Sequence, residues 1–166
     1  MSFVNDLREG LEYEEKVLRF LNEEFKLWVR KNEDVLDTDL ISSSLRIEVK
    51  FDRQFHRTWN IFIEYAYKWK PSGIMRDEEL DYLIYGNHDV MWIMDAKMLQ
   101  IEIPIWVVEK KYRTVKGWDG WNSSGILIPV SEVKKFANRE INLKHYYGNL
   151  SEGKAVPDSR LRKLPS

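Results

Sequence analysis

Residues Ser44 to Asp52, SLRIEVKFD, alternate apolar Leu45, Ile47, Val49 and Phe51 with charged Arg46, Glu48 and Lys50. A period of two is the pattern of a strand with one face in a core. The chain must therefore build a sheet with another layer packed against that apolar face. Side chains two apart on a strand project together, so the Glu48 carboxylate and the Lys50 ammonium stand side by side. A solvated strand face produces such a pair at ~1 kcal/mol or less, and so does a site that handles metal and phosphate. The flanking sequence has to choose between them.

At 166 residues, with 43% hydrophobic and 13% aromatic content, the chain is long enough for one domain with a substantial core. Residues 1–150 are expected to form it, with 151–166 as a polar, basic, flexible tail. The absence of cysteine excludes disulfides and thiolate zinc sites. The N-terminus lacks an apolar signal core, and stretches such as IPIWVV fall far short of a membrane span. A soluble, cytoplasmic protein with no membrane partner is the expectation. Net charge is −1, but residues 1–40 hold six bases against eleven acids, and residues 105–166 twelve bases against six acids. An acidic front and a basic back can gather metal-binding carboxylates at one place and bring phosphate-binding cations from another.

From Arg8 the pattern turns helical, with Leu11, Leu18, Leu21 and Phe25 on one stripe, ending near Phe25 to Trp28. Filling the missing step of that stripe puts Glu14 on its apolar side. Short strands are expected at LWVRK and TDLIS, then the opening strand, then NIFIEYAY from Asn60 to Tyr67 as its antiparallel neighbour. WKPSGIMRDEE reads as a loop, DYLIYG and VMWIMD as strands about the turn GNHD, and AKMLQIEI as a short helix. PIWVVEKKYR is expected as a strand, GWDGWNSSG as a long loop and ILIPV as the closing strand, after which Ser131 caps a helix over EVKKFANREINL.

Asp39 lies in DVLDTDLIS, nine residues before Glu48. If TDLIS pairs with RIEVK through a turn at Ser42 to Ser44, Asp39 comes alongside Glu48 and Lys50. Hard cations such as Mg²⁺ take oxygen ligands and keep several waters, so one or two carboxylates plus substrate phosphate suffice. A helical glutamate, an aspartate, then Glu-x-Lys on a strand resembles the PD-(D/E)XK nuclease superfamily. NIFIEYAYKWKPSGI followed by DYLIYG is similar to a pattern of its phage and mobile-element members. The resemblance covers roughly the first half of the chain. It implies an α/β fold of the α+β kind, a mixed sheet flanked by helices with a restriction-endonuclease-like αβββαβ core and C-terminal additions. It also implies a Mg²⁺- or Mn²⁺-dependent deoxyribonuclease, an endonuclease acting on DNA, with room for a homodimer that makes two cuts. The matching residues are Glu14, Asp39, Glu48 and Lys50 as catalytic residues, with Glu64 a further acidic position. By the same resemblance Asp39, Glu48, Glu14 and the Val49 carbonyl are the expected metal ligands. Thr38 stands where the family has proline, Asp37 is a rival to Asp39, and Glu12 and Glu15 are rivals to Glu14.

For the DNA backbone, Lys68 and Lys70 with the exposed backbone of Ser72 and Gly73 are the first candidates, and Lys110 and Lys111 in the densest basic run are the second. The tryptophans Trp118 and Trp121 are expected to pin their loop to the core rather than to stack on bases. His56, His88 and His145 have no metal-ligand spacing. GNLSEGKA carries Ala155 where a phosphate loop needs Ser or Thr. The competing reading is a non-catalytic nucleic-acid-binding or assembly module on the same fold.

Overall fold

The computed structural model describes residues 3–34, 38–117 and 122–151. Helix α1 (Phe3–Glu24) opens the chain. It turns Tyr13, Val17, Phe20 and Leu21 inward and leaves Leu11 48% exposed. The expected stripe is thus rotated by part of a turn, because two aromatic rings bury more apolar area than Leu11 would. Glu14 consequently sits on the shoulder of the helix, its side chain 24% exposed.

Strands β1 (Arg30–Lys31), β2 (Leu40–Ile41) and β3 (Arg46–Phe51) form an antiparallel meander, with Lys31 opposite Leu40 and Leu40 opposite Ile47. The turn between β2 and β3 is held by the Ser42 hydroxyl, which accepts from the Leu45 N–H at 3.1 Å. Beyond β3 the chain departs from the expected hairpin. Helix α2 (Phe55–Thr58) and a left-handed Trp59 (φ 54°) carry β4 (Asn60–Tyr67) into a second sheet. The edge of β3 is taken instead by β6 (Tyr82–Gly86), parallel to it. YLIYG is buried throughout, as suits a central strand with both faces covered.

Before β6 come β5 (Lys70–Pro71), antiparallel to β4, and a 3₁₀ turn at Gly73–Met75, so the expected loop carries its own hairpin. Strand β7 (Val90–Asp95) pairs antiparallel with β6 as expected. The Asp95 carboxylate accepts from the Met98 N–H at 2.9 Å and caps α3 (Ala96–Val108). This helix runs through Pro104 and absorbs the first half of the segment expected as the strand PIWVVEKKYR. Burial of Leu99, Ile103 and Trp106 outweighs the lost N–H of the proline. Strands β8 (Arg113–Lys116) and β9 (Ser123–Pro129) complete the second sheet in the order β5-β4-β9-β8.

The single helix expected from Ser131 is instead α4 (Val130–Phe136), β10 (Arg139–Asn142) and α5 (Leu143–Ser151). Its first residue is Val130, and no side chain caps it. Strand β10 covers the free edge of β7, closing the first sheet in the order β1-β2-β3-β6-β7-β10. Among the described residues no helix is long and apolar enough to cross a membrane.

The molecule is therefore mixed α/β. One face of the first sheet, with Leu40, Ile47, Val49, Ile84, Met91 and Ile93, packs against α1 and α5. The opposite face, with Leu83, Tyr85, Trp92 and Met94, packs against β4, β9 and α3 through Ile61, Ile63, Ile126, Ile128, Leu99 and Trp106. Alternation along β3 thus separates two covered faces. The one carrying Glu48 and Lys50 looks into the space between the sheets.

Candidate active site

Glu48 and Lys50 project from β3 beside Leu83 and Tyr85, their register partners on β6. Together with Phe62, Ile63 and Glu64 of β4 and Gly73 they line a cleft of about 250 Å³. Glu48 is only 6% exposed, so the second sheet converts what reads as a surface strand face into an interior wall. A carboxylate there needs an answering cation. Lys50 supplies it, with Nζ 2.5 Å from Glu48 Oε1, while half of its own side chain (48%) stays in solvent.

Asp39 joins them by register. Leu40 opposes Ile47, so one residue further along Asp39 lies beside Glu48, and its Oδ2 accepts from the Val49 N–H at 2.7 Å. In a strand, a residue's N–H and C=O point to the same edge. The Val49 carbonyl accordingly faces the side where β2 has already ended. Burial, then the charge of Glu48, pushes the Asp39 carboxyl up to about 6, against the Val49 N–H and Lys50, which draw it down. Burial pulls the Lys50 ammonium down, and Glu48, Asp39 and Glu64 more than reverse this, so it stands above its ordinary value.

Glu14 approaches from α1. Burial raises its carboxyl, Lys31 and Lys50 lower it, and its nearest cation is Lys31 at 3.8 Å. It stands at the margin of the cluster and does not line the cleft. Glu64 does line it, but its Oε1 accepts from the Ser72 hydroxyl at 2.5 Å, and the Ser72 N–H is spent on the Tyr65 carbonyl at 3.1 Å. Ser72 therefore orients Glu64 rather than presenting its amide to a phosphate, contrary to the sequence expectation. Gly73 is needed where it stands, because its φ is +54° and a Cβ would lie 2.6 Å from the Glu64 carbonyl oxygen.

Lys68 and Lys70 lie on the turn and far strand of the β4–β5 hairpin, outside the cleft lining. Lys110 and Lys111 follow α3, with Lys111 Nζ 4.9 Å from the Trp106 ring centroid and 5.3 Å from that of Tyr112. They too are outside the lining. His88 shares a hydrogen bond with Lys16 at 3.0 Å, and His56 pairs with Asn87. Asp37, Trp118, Trp121 and Glu152 to Ala155 of GNLSEGKA lie outside the described residues.

Sequence reasoning missed the group that fixes Asp39. Thr38 is 1% exposed and donates to Asp77 Oδ2 at 2.6 Å. Arg46 Nε reaches the same oxygen at 2.7 Å, and the Arg46 N–H donates to Asp81 at 2.8 Å. Although partial burial opposes it, donation from Thr38 and Arg46 holds the Asp77 carboxyl below its ordinary value. The only signal was the DxxxD spacing of Asp77 and Asp81 just before β6, too common to read.

Among the described residues no three His, Cys, Asp or Glu side chains converge tightly enough to cage an ion unaided. The paired Asp39 and Glu48 carboxylates nevertheless match the requirement of a hard divalent cation that keeps waters and takes further oxygens from a phosphate. No family model, curated protein or solved structure matches the chain.

Proposed function

We propose that this cleft is the active site of a Mg²⁺- or Mn²⁺-dependent deoxyribonuclease built on a restriction-endonuclease-like core. The observation that carries the reading is the Asp39–Glu48 pair held by register and by the Val49 N–H, with Lys50 at its side. Burial and the charge of Glu48 push the Asp39 carboxyl up to about 6 even with Lys50 present, so the pair would gain from further positive charge. In this reading Asp39, Glu48 and the Val49 carbonyl would hold the ion, with Glu14 the further carboxylate at the margin. A bound divalent cation would supply charge stabilisation at a phosphodiester oxygen and lower the pKa of a water. Lys50, paired with Glu48 at the edge of the cleft, would be the group to hydrogen-bond an attacking water or a phosphate oxygen. Glu64, fixed by Ser72, limits where a phosphate can sit in the cleft.

The test is incubation of the protein with supercoiled plasmid and with a branched junction, each with Mg²⁺, with Mn²⁺ or with chelator. Divalent-dependent cleavage supports the reading, and DNA binding without cleavage in any divalent metal would favour the binding-module alternative.

A further expected result concerns Asp39→Asn. Because the folded-state pKa of Asp39 is raised, the folded protein holds a proton that the unfolded chain releases from about pH 4 upward. Its contribution to stability therefore falls as pH rises to about 6 and stays reduced above, by ~3 kcal/mol at most. Asparagine can still accept from the Val49 N–H. The variant should be more stable than the parent at pH 8 by ~1–3 kcal/mol, and no more stable at pH 4. Its thermal midpoint should no longer respond to Mn²⁺. Thermal scans at the two pH values, with and without the metal, measure both effects.

A further inference from the structure

The tip of the β4–β5 hairpin carries a tryptophan that the fold does not use. Trp69 is 91% exposed. It and Lys68 both adopt left-handed backbone (φ 68° and 47°), a conformation non-glycine residues adopt sparingly. A large flat ring is thus held in solvent on a strained turn, which packing does not explain.

Cations surround it. Lys116 Nζ lies 4.7 Å from the Trp69 ring centroid and donates to Ser124 Oγ at 2.8 Å. Lys68 Nζ lies 5.3 Å from the Tyr67 ring centroid, and Lys70 follows on β5. Among the described residues none of these three lysines has a carboxylate partner. Lys68, Trp69, Lys116 and Asn122 line one recess of about 280 Å³. An exposed ring beside unneutralised ammonium groups suits a polyanion that also offers flat faces, which is what unpaired DNA provides.

The chain ties this tip to the cleft, since Glu64 on one arm of the hairpin and Gly73 after the other both line it. At ~3.3 Å per strand residue the tip stands roughly 13 Å from Glu64. Bases stacked ~3.4 Å apart would cover that in about four nucleotides.

We propose that Trp69 is a base-stacking platform, with Lys68, Lys70 and Lys116 on the flanking phosphates. It holds an unpaired strand about four nucleotides from the cleft and directs the protein to single-stranded or branched DNA rather than continuous duplex. This rests on the nuclease reading above. A neighbouring apolar groove of about 380 Å³, between the hairpin and Pro104, Val107 and Val108 of α3, offers a second copy of the chain as the rival occupant. A symmetric contact through the tip would set these lysines against their own copies, which favours DNA.

The experiment measures binding, in chelator, of a single-stranded 20-mer, its duplex and a flapped duplex to the parent, Trp69→Ala and Trp69→Phe, with sedimentation velocity on each. Trp69→Ala should weaken single-strand and flap binding about tenfold or more, leave duplex binding unchanged, and be largely rescued by phenylalanine. Equal single-strand affinity in Trp69→Ala and parent overturns the platform. A changed sedimentation coefficient with DNA binding intact also overturns it, making the tip a contact between copies. Trp69-dependent binding by a parent that never cleaves in Mg²⁺ or Mn²⁺ supports the platform and sinks only the nuclease reading. A parent that cleaves with no dependence on Trp69 sinks only the platform.

Discussion

Glu48→Gln is expected to fold as the parent does and, if the cleft is the proposed nuclease site, to cleave DNA at least ~10³-fold more slowly, since several kcal/mol of transition-state stabilisation would go with the ion. Glutamine keeps the shape of a side chain that is 6% exposed and keeps an oxygen toward Lys50, so the wall of the cleft survives. What is lost is the charge that, after burial, pushes Asp39 up. The Asp39 titration should therefore move down toward the ordinary carboxylate range, readable by carboxyl NMR shifts in the absence of any metal or DNA. Lys50→Met separates the roles further. It leaves both carboxylates but removes their cation, so metal binding should persist while cleavage falls. Stability at pH 8 should drop by ~2 kcal/mol, below the range for fully buried pairs because Lys50 is half exposed. Saturating Mn²⁺ at about 100 times its Kd should restore ~3 kcal/mol. Either variant cutting at the parental rate would remove the chemistry from this cleft.

Gly86→Ala should be the most damaging conservative substitution in the described chain. Gly86 ends β6 opposite Met91 of β7. An added Cβ would be driven into the Val90 carbonyl oxygen, and would lie 2.7 Å from the Tyr13 hydroxyl and 2.8 Å from the Met91 Cα. Tyr13 is fully buried and β7 is clamped between β6 and β10, so nothing nearby can move cheaply. A loss of ~3 kcal/mol or more is expected, at the upper end for overpacking. Urea denaturation would register it as a lower midpoint at unchanged slope. Gly10→Ala is the matched control. Nothing lies within 4 Å of its new Cβ, so helix propensity should make it more stable by ~0.5–1 kcal/mol.

Local signals foresaw the first third of the molecule. The α1 helix, the β2–β3 hairpin and the meeting of Asp39, Glu48 and Lys50 follow from periodicity, a serine turn and register, all of which span few residues. The β6–β7 hairpin was legible for the same reason. Failures came where a distant element decided the outcome. A period of two in RIEVK reports that two faces differ, not that one is wet, and it took β4 to bury Glu48. Pro104 argued for a helix end, yet Ile103 and Trp106 had a core waiting for them. EVKKFANREINL had helical composition, but the open edge of β7 drew Arg139–Asn142 into a strand. The Thr38–Arg46–Asp77 cluster joins residues up to 39 apart, and no motif spans that distance.

The short Lys50–Glu48 contact bears on how such a protein is made. A carboxylate in the wall of a cleft usually forces a choice between folding around an ion and staying open until one arrives. Here the chain brings its own counter-charge. The ammonium belongs to the same strand, two residues away, and is in place as soon as β3 forms. Folding of this wall therefore needs no added cation, and the proposed ion would enter a cleft that is already assembled by displacing the ammonium.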